Sequence, residues 1–322
     1  MAAKNKPHEL YISRIYDAPV KMVWDASVDP KQVAQWWGPR GFTLTTKSKD
    51  VRTGGSWIYT MHGPDGVDYP NHTVYHEVEK YSRMVYDHGG NEHQPPLFRV
   101  TVEFSEVGKK TKMEMTMAFA NPEIATESKK FIKKAGGDST WDRLAEFLED
   151  QSTKKDIFVI NRSFDAPINL IFKMFTDPKH VLNWLPPTGM EMEYIKEDIK
   201  VGGTSFYCMM GHGMKMYGKT SYQEISAPDR IVYTQIFCDE KENVSRHPMA
   251  PTWPEKMLTT INLVSEDENR TRVNIKWEVT GNATDVERAT FKNAKSGMTQ
   301  GWTGSFDKLE NYLKSVSSLP NL

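Results

Sequence analysis

The sequence predicts an α+β chain made of two tandem copies of one domain, each a curved antiparallel sheet wrapped on a long C-terminal helix. Three observations carry this. The chain matches itself along most of its length. Each copy runs strand, two short helices, several strands and a closing helix. The late strands of each copy alternate apolar and polar residues with a period of two.

The self-match is clearest at an offset of 148, where Arg14, Asp17, Ala18 and Pro19 meet Arg162, Asp165, Ala166 and Pro167. Asp29, Pro30, Lys31, Val33, Trp36, Pro39, Gly41, Asp50, Gly54 and Gly55 then meet Asp177, Pro178, Lys179, Val181, Trp184, Pro187, Gly189, Asp198, Gly202 and Gly203. These are 14 identities over the 42 positions from Arg14 to Gly55, where unrelated sequence would give roughly two or three. The offset then drifts, as loop insertions require. Tyr75-x-Glu77 matches Tyr222-x-Glu224, and Trp141-Asp142-x-Leu144 matches Phe306-Asp307-x-Leu309. The extra length falls near 239–256, a polar and proline-containing stretch that reads as a long loop of the second copy. Residues 1–150 are therefore one domain, 151–155 the core of a polar linker spanning Asp150 to Lys155, and 156–322 the second domain.

Each copy opens with a strand, Leu10 to Tyr16 or Ile157 to Phe164, that stops at Asp-Ala-Pro. Proline at the first helical position suits helices with bodies Val20 to Ala26 and Ile168 to Phe175. Asp29-Pro30 and Asp177-Pro178 start second, shorter helices that end near the tryptophans. Strands follow, punctuated by Gly54-Gly55, Gly63-Pro64-Asp65-Gly66, Gly89-Gly90 and Gly108. Phe98, Val100, Val102 and Phe104 share one face, as do Met113, Met115, Met117 and Phe119, and Val273, Ile275, Trp277 and Val279. The closing helices put Trp141, Leu144 and Leu148, or Phe306, Leu309 and Leu313, on one stripe. Gly136 and Gly301 fall inside or at the start of these helices, which marks either a break or close packing at a cavity mouth.

The chain has 41 basic and 42 acidic residues in 322, a net charge of −1. That balance gives no general attraction to nucleic acid or anionic lipid. The densest basic group, Lys129, Lys130, Lys133 and Lys134, has the spacing of a solvated helix face. No apolar run reaches the ~18 residues needed to cross a bilayer. The N-terminal stretch lacks the apolar core of a signal peptide, and two cysteines, Cys208 and Cys238, fit a reducing compartment, although a single bridge between them stays open. The expected setting is cytoplasmic.

Chemistry-bearing motifs are sparse. There is no Gly-x-Ser-x-Gly, Cys-x-x-Cys or His-Glu-x-x-His motif and no phosphate-cradling glycine loop, so no catalytic residue, metal or cofactor is assigned. His72, His76, His88 and His93 raise proton transfer or metal binding, but His72 and His76 would stand about 13 Å apart along a strand. The segment from Cys208 to Met216 offers soft ligands suited to monovalent copper, or an adaptable apolar hairpin. Glu77 and Glu224 occupy matching strand positions, where pairing with a neighbouring arginine is the plainer explanation.

The element order resembles the START-like, or SRPBCC, helix-grip superfamily. Trp36-Trp37-Gly38-Pro39-Arg40-Gly41-Phe42, Gly54-Gly55-Ser56-Trp57, Gly63-Pro64-Asp65-Gly66-x-x-Tyr69-Pro70-Asn71, and the run from Gly136 to Leu148 look like the family of homologues of the activator of the heat-shock protein 90 ATPase. The second copy is looser: Leu185 replaces the second tryptophan and the Gly-Pro-Asp-Gly turn is missing. The resemblance implies a cavity between sheet and closing helix. It allows three functions: non-catalytic binding of a small hydrophobic or aromatic molecule, a co-chaperone-like module in stress response that stimulates an Hsp90-type ATPase, or a cyclase-like enzyme on a hydrophobic substrate. The first is preferred, with the first-copy pocket as its seat and the second copy a diverged pocket or docking surface. The implied lining is Trp36, Trp37, Phe42, Trp57, Tyr59, Met61 and Tyr86 in the first copy, and Trp184, Tyr207, Met209, Tyr233, Trp277 and Trp302 in the second. The implied partners are a small hydrophobic ligand or an Hsp90-type chaperone, with no nucleic acid and no membrane. The two copies could also pack as an intramolecular pseudo-dimer.

Overall fold

The computed structural model describes residues 6–134 and 139–317 of the chain. The chain divides into two compact units between Lys154 and Lys155. The first unit runs β1 (Glu9–Tyr16), α1 (Val20–Val28), α2 (Pro30–Trp36), β2 (Thr43–Lys49), β3 (Ser56–His62), β4 (Asp68–Glu79), β5 (Arg83–Gly89), β6 (Pro96–Val107), β7 (Lys110–Phe119), α3 (Pro122–Lys134) and α4 (Ser139–Thr153). The second runs β8 (Ile157–Phe164), α5 (Ile168–Thr176), α6 (Pro178–Trp184), β9 (Met190–Lys196), β10 (Thr204–Gly211), β11 (Met214–Ser226), β12 (Arg230–Cys238), β13 (Lys256–Asp267), β14 (Arg270–Thr280), α7 (Asp285–Asn293) and α8 (Lys295–Ser317).

Each unit holds one seven-stranded antiparallel sheet, ordered β1-β7-β6-β5-β4-β3-β2 and β8-β14-β13-β12-β11-β10-β9. The first strand closes against the last, so the intervening strands form one continuous meander. The alternating residues fall on the buried face: Val100, Val102 and Phe104 of β6 and Met113, Met115, Met117 and Phe119 of β7 are all buried. Trp141, Leu144 and Leu148 of α4, and Phe306, Leu309 and Leu313 of α8, meet that face and complete the two cores. Burying an apolar stripe against one sheet face is what makes sheet and helix mutually necessary.

The repeat extends to individual hydrogen bonds. Trp36 Nε1 donates to the Ala26 carbonyl at 3.0 Å, and Trp184 Nε1 to that of Met174 at 2.9 Å. Thr111 Oγ1 donates to the Ala18 carbonyl at 2.7 Å, and Thr271 Oγ1 to that of Ala166 at 2.8 Å. The paired glycines have separate causes. Gly54 and Gly202 lie at φ +80° and +78°, a region that disfavours side chains. A Cβ at Gly55 or Gly203 would stand 2.3 or 2.2 Å from the carbonyl oxygen of Asp50 or Asp198.

Three sequence expectations change. Pro19 and Pro167 are N-caps with extended ψ of 151° and 148°, not first helical residues. Asp29 and Asp177 do cap α2 and α6, the Asp29 side chain accepting the N–H groups of Lys31 and Gln32 and that of Asp177 the N–H of Lys179, with proline next in line in both. The expected linker is largely helix, because α4 continues to Thr153, where Ser152 and Thr153 hydroxyls back-bond to the Glu149 carbonyl. Gly301 neither breaks its helix nor packs tightly, since α8 passes through it and an added Cβ would meet nothing within 4 Å. Close packing occurs one turn later, at Gly304, where a Cβ would stand 2.8 Å from Thr188 Oγ1. Gly136 lies outside the described residues. Among the described residues, no helix is long and apolar enough to cross a membrane.

Candidate functional site

The two units treat the space between sheet and helix differently. In the first, Trp57 stacks on Tyr59 at 3.9 Å, Trp37 stands edge-on to Trp57 at 5.3 Å, and Trp141 lies 6.0 Å from Trp37. Trp37 Nε1 donates to the Tyr59 hydroxyl at 3.2 Å, and Trp57 Nε1 donates to Thr46 Oγ1 at 3.2 Å. These rings leave a chamber of about 30 Å³, lined in part by Trp36, Trp37, Trp57 and Tyr86. That is the space of roughly one water molecule.

In the second unit the positions of Trp57 and Trp37 are Ser205 and Leu185. Two indoles are lost at equivalent places, and a cavity of about 460 Å³ is present, lined by Leu185, while Ser205 is buried behind it with its hydroxyl accepting from the Asp198 N–H. A volume of that size lies in the range of small-molecule sites. Trp184, Tyr207, Met209, Tyr233, Trp277 and Trp302 all line it. In the first unit Tyr59 is buried among the indoles, whereas Phe42 sits against Tyr69 at 5.7 Å and Met61 beside Gly38, so neither lines the small chamber. The larger cavity therefore lies in the second unit, where the sequence pointed to the first. The first unit's aromatic rings occupy the space that they were expected to enclose.

Tyr194, Tyr207, Tyr222 and Tyr233 all line this cavity, and burial raises the pKa of each above its ordinary value. They stay neutral and keep their donor hydrogens. Gln235 Nε2 donates to the Tyr207 hydroxyl at 2.8 Å. Trp277 Nε1 is buried and makes no hydrogen bond among the described residues. Burial also lowers the pKa of His247, leaving a neutral imidazole at the cavity edge. The chamber is a largely apolar box with several neutral polar groups and one carboxylate, Glu255, in its wall, a lining suited to holding and orienting a small molecule.

The long loop after β12 supplies a wall that the sequence reading missed. His247, Ala250, Trp253, Pro254 and Glu255 line the cavity. The loop is fastened to α7: Arg246 pairs with Glu287 at 2.7 Å, Thr252 Oγ1 meets Thr290 Oγ1 at 2.8 Å, and Trp253 packs on Phe291 at 5.7 Å. The insertion at 239–256 was a visible signal that the second copy had gained something, and Tyr222 was visible as the match of Tyr75. Ala294, at the end of α7, and Gly297, Gly301 and Ser305 on α8 line the cavity, and added Cβ atoms at Gly297 and Gly301 would enter open space.

The other candidates resolve locally. Glu77 pairs with Arg83 at 2.9 Å and Glu224 with Arg230 at 3.0 Å, the same bridge in both units. His76 meets Asp87 at 2.8 Å, and His88 stacks on Phe98 at 4.9 Å. Among the described residues, no three His, Cys, Asp or Glu side chains converge to hold a metal. Cys208 and Cys238 are free and buried, and the strand between them, β11, pairs Tyr217 with both. The Cys208–Met216 segment is a hairpin whose apex, His212 and Gly213, has positive φ.

The profile of the family described as Activator of Hsp90 ATPase homolog 1-like protein matches residues 17–149 and again 165–314. Among solved structures, protein Ms6760 from Mycobacterium smegmatis is 25% identical over 45% of this chain and 93% of its own, with a TM-score of 0.42. A protein from Arthrobacter aurescens is 24% identical over 46% of this chain and 90% of its own, with a TM-score of 0.43. The di-domain ARO/CYC BexL of the BE-7585A biosynthetic pathway is 12% identical, with 94% of this chain and 97% of its own covered and a TM-score of 0.37. No curated protein matches the chain.

Proposed function

The chain belongs to the Activator of Hsp90 ATPase homolog 1-like family, with one copy of the family domain in each half, and from that premise we propose that it binds a small, largely apolar molecule in the cavity of its second half. The carrying observation is the partly open space of about 460 Å³ between sheet and helix. The ligand is flat or compact, carries at least one acceptor group, and is held in the cytoplasm without chemical change. Apolar walls supply most of the affinity, and the Tyr207–Gln235 pair and the Trp277 indole set orientation. The unmet Trp277 donor supports an acceptor on the ligand, because buried polar groups left unpaired carry a cost of about 1–3 kcal/mol. The first half, its chamber filled by indoles, is the scaffold.

Titration of the full chain with 1-anilinonaphthalene-8-sulfonate, followed by probe fluorescence, tests this. Saturable binding at one site is expected, abolished by Ser205→Trp combined with Leu185→Trp, which restores the indoles of the first half. Binding that survives both substitutions in a folded protein would overturn the assignment to this cavity. Native mass spectrometry of the natural protein adds an independent view, with a co-purified apolar compound as the expected result.

A further inference from the structure

We propose that Met192, Met209 and Met216 form a three-thioether site for a soft monovalent cation, Cu(I), at the β9 edge of the second sheet. The three stand in one row across neighbouring strands: Met209 of β10 is the register partner of Met192 on β9 and of Met216 on β11. All three line the second-half cavity. Directly opposed residues on one sheet face hold their Cβ atoms about 4.5–5.5 Å apart. The unbranched methionine chain, with its three rotatable bonds, lets the outer sulfurs swing toward the central one.

The first half supplies the contrast. Its equivalent row is Leu44, Met61 and Tyr69, paired in the same register and holding a single thioether. The fold therefore does not require three sulfurs here, and the second half carries one at both flanking positions.

The surroundings suit a cation. Among the described residues no Lys or Arg lines the cavity. The next row along the same face pairs Tyr194 with Tyr207. The Tyr207 ring lies across Gly218, two residues from Met216, where an added Cβ would stand 2.3 Å from its hydroxyl. Neutral phenol rings attract a cation through their faces, and thioether sulfur selects Cu(I) over harder metals. Cys208 takes no part: it alternates with Met209 along β10 and is buried on the opposite face, its Sγ 3.9 Å from the Met209 carbonyl oxygen. Each thioether donates a sulfur lone pair and has no proton to lose, so binding releases none, in contrast to thiol or imidazolium ligands. The site goes beyond the apolar-ligand reading and does not depend on it.

The full chain would be titrated with Cu(I), kept reduced by ascorbate, in competition with bathocuproine disulfonate, and the copper K-edge absorption recorded. One Cu(I) per chain is expected, with three sulfur neighbours, no nitrogen, and an affinity that stays level between about pH 7.5 and pH 5.5. Met209→Leu should weaken uptake at least about tenfold, since even partners that only support a ligand cost that much. Combining it with Met192→Leu and Met216→Leu should abolish uptake. Leucine and methionine exchange with little cost in a core, and saturation by 1-anilinonaphthalene-8-sulfonate reports separately on whether the apolar cavity persists. No uptake by the unaltered chain, nitrogen coordination, an affinity that falls with acid, or undiminished uptake by the triple variant would each overturn the proposal.

Discussion

Trp37 and Tyr59 form a pair that the second half does not reproduce: the Trp37 indole donates to the Tyr59 hydroxyl at 3.2 Å, whereas Tyr207, at the position of Tyr59, takes its hydrogen bond from Gln235 at 2.8 Å. The donor has moved from an indole on the far side of the chamber to an amide on the sheet. That exchange leaves the phenol satisfied while the space in front of it empties.

Trp37→Leu, which installs the second half's residue, should therefore open the first chamber and remove one hydrogen bond from the Tyr59 hydroxyl, which keeps its contact with Thr73. A loss of about 2–4 kcal/mol is expected, combining cavity and hydrogen-bond costs. Chemical denaturation followed by near-ultraviolet circular dichroism would read it.

Gly301→Ala should stabilise the second half by up to about 1 kcal/mol, because alanine is the better helix former and its Cβ meets nothing within 4 Å. Gly301→Leu should instead fill the cavity and weaken probe binding by about tenfold or more. A thermal melt paired with a binding titration distinguishes a helix effect from a cavity effect.

Arg246→Ala removes the ion pair that fastens the long loop to Glu287 on α7. The loop lines the cavity, so both association and dissociation of the probe should speed up, with a smaller change in affinity. Stopped-flow fluorescence would show it, and unchanged rates would mean that the ligand passes elsewhere.

His88 gives the first half a pH dependence. Burial lowers its pKa to about 4, below the ordinary histidine value near 6.5. The folded state thus binds a proton less readily than the unfolded state. Its stabilising contribution is full above the unfolded value, and it declines as pH falls from about 6.5 through 4, by roughly 3 kcal/mol in all. His88→Phe should flatten that part of the stability profile in urea midpoints measured against pH.

Much of the fold was legible because it is written in periods and punctuation. The alternation in Met113, Met115 and Met117, the Asp-Pro helix starts and the Gly-Gly turns each record a local backbone requirement. The cavity was legible only as a difference. Trp57 against Ser205 and Trp37 against Leu185 hold the information, but aromatic richness reads equally as a lining or as a filling. Only the packing in three dimensions separates the two. The loop showed its length in sequence, while its fastening to α7 depends on contacts as distant as Arg246 with Glu287 and Thr252 with Thr290. The linker was misread for a simpler reason, since polar residues such as Asp150 and Gln151 suit the solvent face of a final helical turn as well as they suit a loop.

The glycine pairs give the duplication a practical use. At Gly55 and Gly203 no side chain fits against the carbonyl behind it, in either half, whereas positions 37 and 185 already differ. In a survey of all single substitutions, the first kind of site should be depleted identically in both halves, so each half calibrates the other. A position that tolerates change in one half and rejects it in the other then marks, without knowledge of any ligand, where the second copy has acquired a task of its own.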